Sequence, residues 1–72
     1  MSNNVHVIPS GGGWDVKVEG TGKASHFHTQ NEAIKAGRIL ARGNHSEHIL
    51  HGRDGRIRQR DSYGRDPFPP RG

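Results

Sequence analysis

A 72-residue chain without cysteine can form neither a disulfide nor a thiolate-held metal site, and it sits near the lower size limit for a domain that folds unaided. With 28% hydrophobic residues its core is small, so self-association into a homodimer is one route to further burial. The formal charge of +4 favours acidic partners, while the lack of an apolar run of about 18 residues, or of a hydrophobic leader behind the polar "MSNN" start, points to the cytoplasm with no membrane contact.

The first strand is "VHVIP" (5–9), which sets Val5 and Val7 on one face. The glycines of "SGGG" (10–13) supply the turn that follows. "WDVKVEG" (14–20) alternates throughout, with Trp14, Val16 and Val18 on one side and Asp15, Lys17 and Glu19 on the other, the period of a half-buried strand. "TG" (21–22) turns the chain into "KASHFH" (23–28), where Ser25 and Phe27 share one face and Ala24, His26 and His28 the other. "TQNE" (29–32) reads as a capping box, Thr29 accepting from the Glu32 amide while the Glu32 carboxylate reaches back. A helix follows, with Ala33, Ile34, Gly37, Leu40 and Ala41 in one stripe and Lys35, Arg38 and Arg42 largely off it. Gly37 lets this helix approach the sheet closely, and Gly43 or Asn44 ends it.

The chain then returns as "EHILHGRDGRIRQRD" (47–61). Asp54-Gly55 between alternating segments predicts a two-residue type I′ hairpin turn. That register pairs Arg53 with Arg56, Gly52 with Ile57, His51 with Arg58, Leu50 with Gln59 and Ile49 with Arg60. Cross-strand partners share a face, so Leu50, Gly52 and Ile57 would point at the core. His51, Arg53, Arg56, Arg58 and Arg60 would gather opposite, with Ile49 among them. The expected architecture is an α+β domain over residues 1–61, a small antiparallel sheet in the order β-β-β-α-β-β with one helix packed on one face. Residues 62–72 hold three of the four prolines and read as an extended tail that Tyr63 and Phe68 can pack back over the sheet. One helix covers one side only, so the other side of the sheet is wet or meets a partner.

The hairpin is the candidate site. Residues 51–72 carry six arginines, no lysine and three aspartates. A guanidinium fork suits phosphate and carboxylate better than an ammonium does. A two-stranded ribbon of this width can enter a nucleic-acid groove or follow a backbone. The same outward charges would also keep a terminal strand from pairing with another sheet. The binding reading requires the guanidinium groups to lie on a common surface.

Strand alternation places His6, His26, His28 and His51 on the uncovered face. Without cysteine or a converging carboxylate pattern, no metal ligand and no cofactor are assigned. Catalysis has no support: there is no Gly-x-Ser-x-Gly elbow and no phosphate-binding loop, and "GGGW" enters a strand rather than a helix. A chain of this size also lacks walls for a deep pocket, so no small-molecule substrate is expected.

Three stretches, "HVIPSGGGWDVKVEG", "T-x-x-EAIKAGRILAR" and "HGRDGRIRQRDSYGRDPFPPRG", together resemble the bacterial domain-of-unknown-function family 2188, from Val5 to Gly72. The resemblance implies a small bacterial protein and carries over no catalytic or binding residue. The expectation is therefore a non-enzymatic binding module. It would contact nucleic acid or another polyanion through Arg53, Arg56, Arg58, Arg60 and His51. The alternative is an adaptor or small regulator whose uncovered sheet face meets an acidic protein surface or a second copy of the chain.

Overall fold

The structure, a computed structural model, describes residues 3–63. Five strands and one helix follow in order: β1 (Val5–Ser10), β2 (Gly13–Val18), β3 (Lys23–Phe27), α1 (Gln30–Asn44), β4 (Glu47–His51) and β5 (Ile57–Ser62). The strands form one sheet in the order β3-β2-β1-β4-β5, and α1 packs against β1, β2, β3 and β4. The α+β class and element order match the expectation, with one refinement. β1 and β4 run parallel, pairing Val5 with His48, His6 with Ile49 and Val7 with Leu50. The other three pairings are antiparallel. The parallel pair follows from the connection: α1 carries the chain back along the sheet after β3, so β4 enters in the direction of β1.

Alternation in β2 decides which face is covered. Trp14 and Val16 are buried with Val5, Val7, Ala33, Ala41 and Leu50, and Val18, Phe27, Ile34 and Ala36 pack against that cluster. Lys17 and Glu19 stay exposed. On the helix, Ala33, Gly37 and Ala41 are buried, whereas Leu40 remains 41% exposed, so the apolar stripe is narrower than its sequence pattern. Small residues let α1 sit close to the sheet. A Cβ at Gly37 would lie 2.9 Å from Val7 Cγ2 and 2.9 Å from His48 Cδ2, closer than real Cβ atoms approach.

Both ends of α1 have side-chain or backbone caps. Thr29 Oγ1 accepts from the Glu32 amide at 3.2 Å, the first half of the expected box. The helix ends at Asn44, one of the two expected stops, and His45 after it takes the left-handed conformation (φ 52°). The His45 and Ser46 amides then donate to the Arg42 and Ala41 carbonyls at 3.2 and 2.9 Å. β5 reaches Ser62, and Tyr63 continues from it, its amide donating to the Ser46 carbonyl at 3.0 Å and its ring packing on the core. The folded unit thus extends beyond residue 61. The Pro-rich end, Phe68 included, lies outside the described residues.

Candidate binding surfaces

The β4–β5 hairpin departs from the expected register at its tip. Ile49 faces Arg60 and Leu50 faces Gln59 as expected, but His51 faces Ile57, and Arg58 is an extra residue bulged out between them. The Gly52 amide donates to the Arg56 carbonyl at 2.7 Å, and the Gly55 amide to the Gly52 carbonyl at 3.0 Å. The loop is therefore residues 53–55, a β-turn closed by a left-handed glycine. Only Gly55 has a positive φ (86°), whereas a type I′ turn needs one at Asp54 too. Asp54 takes another role: its Oδ1 accepts from the Arg56 amide at 3.1 Å, which favours the longer loop.

This register separates the predicted site residues. The Arg53 guanidinium lies 5.0 Å from the ring centroid of Trp14, at the edge of the helix-covered core. The Arg58 stem occupies the space a Cβ at Gly52 would need, with Cδ 2.7 Å from that point. Arg60 sits on the opposite face beside Ile49 and contacts Glu47, Nε to Oε1 3.7 Å. Arg56 is exposed at the tip, and His51 turns towards β1. Ile57, expected in the core, is 50% exposed because the slip turns it to the side of His51. The five residues do not line one surface, and a continuous arginine ribbon is not formed. The bulge is the cause: one extra residue changes the alternation on which the ribbon depended.

The uncovered face carries more organised polar chemistry. His6 on β1 and His51 on β4 approach with Nδ1 and Nε2 2.9 Å apart, their rings tilted by 33°. His6 Nε2 donates to Glu19 Oε2 at 2.6 Å, linking three chain segments side by side. Burial and then the neighbouring His6 charge lower the His51 pKa below its ordinary value. Further along the face, His26 Nδ1 donates to Asp15 Oδ1 at 2.7 Å, and that bond holds the Asp15 carboxyl below its usual range. Next to the His6–His51 pair lies an open concavity of about 610 Å³, lined among others by Ile8, Lys17, Lys23 and Ala24.

A different histidine is buried. His48 has no exposed surface, lies under Gly37 of α1, and contacts Asp61 Oδ2 through Nδ1 at 3.2 Å. Asp61 Oδ2 also meets Arg38 Nε at 3.5 Å. Burial pushes the His48 pKa down, against the pull of Asp61. Its Nε2 has no hydrogen-bond partner among the described residues. The sequence carried a signal for this burial, since His48 shares its strand parity with Leu50.

The family model for uncharacterized proteins conserved in bacteria, DUF2188, matches residues 5–63, which spans every strand and the helix. The chain belongs to this family. No curated protein and no solved structure matches it. Within the DUF2188 fold described above, both the uncovered face and the hairpin tip lie inside the matched region. Among the described residues, no helix is long and apolar enough to cross a membrane.

Proposed function

We propose that this DUF2188 protein is a cytoplasmic, non-enzymatic binding module whose uncovered sheet face takes an acidic segment of a partner protein. The observation that carries this reading is the concavity beside His6 and His51. Lys17 and Lys23 line it and make no ion pair among the described residues, while Glu19 is engaged by His6. An apolar floor of Ile8 and Ala24 beside the exposed Lys17, which shares their face of the sheet, suits a carboxylate-bearing peptide.

The test is a titration of isotope-labelled protein with a polyglutamate peptide at low salt, followed by amide shifts. Shifts centred on Ile8, Lys17, Lys23 and Ala24, lost in Lys17→Glu/Lys23→Glu, support the reading. Shifts absent at millimolar peptide, or unchanged in the double variant, reject it. Perturbation only at protein concentrations where sedimentation reports a dimer would assign the face to a second copy instead.

A second reading keeps the polyanion at the hairpin tip alone. Arg53, Arg56 and Arg58 surround the 53–55 loop, and none makes an ion pair among the described residues. Three phosphate contacts would give a salt slope of about −2.7 on duplex DNA in a log–log plot. Arg56→Ala should flatten that slope by about 1. No binding to generic DNA or RNA at low salt removes this reading without touching the first.

A further inference from the structure

We propose that His6 and His51 form a two-imidazole site for a divalent transition-metal ion, copper(II) or nickel(II), with Glu19 orienting His6. The site belongs to the uncovered face but does not depend on the acidic-peptide reading.

The hydrogen bonds fix the tautomers. Glu19 is a carboxylate and can only accept, so His6 must carry its proton on Nε2 to make the 2.6 Å contact. That leaves His6 Nδ1 as a lone pair directed towards β4, where His51 Nε2 stands 2.9 Å away. A carboxylate holding the far nitrogen of an imidazole is the arrangement that fixes metal-bound histidines in place and raises their basicity. Without an ion, His51 must hold its proton on Nε2 to satisfy the contact. With an ion, His51 gives up the Nε2 proton to solvent and takes one at Nδ1, so both lone pairs become ligands and the net protonation is unchanged.

Ligand type selects the ion. Among divalent first-row ions an imidazole pair binds copper(II) most tightly, and nickel(II) more tightly than the earlier metals. The two rings meet head-on in the 2.9 Å contact, with centroids 5.2 Å apart, so loading requires both rings to turn aside until their lone pairs converge on the ion. Both rings border the open concavity of about 610 Å³, so the remaining coordination positions are accessible to water. Among the described residues no third histidine or carboxylate completes a protein-only ligand set, which makes the site exchangeable rather than structural.

The test uses tag-free full-length protein and copper(II), nickel(II) or zinc(II) chloride alone, read by calorimetry. The expected result is one equivalent of copper(II) bound more tightly than zinc(II). His6→Ala and His51→Ala should each weaken it at least tenfold, and Glu19→Gln about tenfold. His28→Ala should leave the affinity unchanged. Wild-type protein gives a readout that needs no variant: paramagnetic copper(II) should first erase amide signals around residues 6, 19 and 51. Broadening centred on His26 and His28, or affinity that survives both His6→Ala and His51→Ala, overturns the proposal. So does the absence of uptake.

Discussion

The two faces of the sheet put the same residue types to opposite uses. On the covered face His48 is sealed under Gly37 and held by Asp61, a neutral imidazole filling core volume. On the uncovered face His6 and His51 meet each other and Glu19 in reach of solvent. The basic side chains are spread over both faces: Arg38 and Arg53 are drawn to groups at the rim of the core, while on the uncovered face Arg60 contacts Glu47 and Lys17 makes no ion pair among the described residues. Stability resides on one side of this sheet, and the chemistry available to partners on the other.

The largest expected effect tests that division. Trp14→Ala removes the bulkiest core side chain and should cost about 3–5 kcal/mol, comparable to the whole stability of a chain this small. Circular dichroism should find it unfolded at 25 °C. Lys17→Ala, one strand position from the buried Val16 and on the other side of the sheet, should stay within about 0.5 kcal/mol of the parent in urea. Equal losses from both would erase the distinction between faces.

Next in size is Asp61→Ala, which leaves the His48 Nδ1 donor buried without its acceptor and releases Arg38, at about 1–3 kcal/mol by urea midpoint. The same histidine gives a pH dependence of definite sign. Because burial lowers the His48 pKa below 6.5, the folded state binds fewer protons than the unfolded chain in that range. Its contribution is complete above pH 6.5 and is lost as the pH falls through that value towards the lower folded pKa. Urea midpoints should drop between pH 7.5 and 5.5, and His48→Asn should flatten the drop.

Smaller still, and opposite in direction, His45→Gly should stabilise by about 1 kcal/mol, since His45 holds a left-handed conformation that glycine takes without strain. The smallest effect separates two hairpin arginines. Arg53→Ala should cost about 0.5–1 kcal/mol through its contact with Trp14, whereas Arg56→Ala should cost nothing measurable. Equal costs would show that Arg53 does not belong to the covered side.

Local patterns carried most of the architecture. The alternation of Trp14, Val16 and Val18, the Thr29 cap and the close approach at Gly37 are each specified by neighbours within a few positions, and each stands as read. The misread features depend on competition between near-equal local solutions or on distant contacts. Asp54-Gly55 fits both a two-residue turn and a longer loop closed by one left-handed glycine; the Asp54 contact with the Arg56 amide favours the second, and the bulge at Arg58 accommodates the slip. α1 ends at Asn44 as read, but the left-handed residue that caps it is His45 and not a glycine, because the chain must turn into β4 at that point. Strand parity placed His6 and His51 on one face, but their contact needed the β1–β4 pairing, which joins residues 43 positions apart.

That central parallel pairing also carries the longest-range pairings of the sheet, between residues 43 positions apart. The meander of β1 to β3 and the hairpin of β4 with β5 can each zip locally, yet only Val5–His48, His6–Ile49 and Val7–Leu50 stitch them into one sheet. Closing the long intervening segment is entropically costly until α1 lies down across both halves. Without the β1–β4 seam the sheet would fall into two pieces, each held by short-range pairings alone.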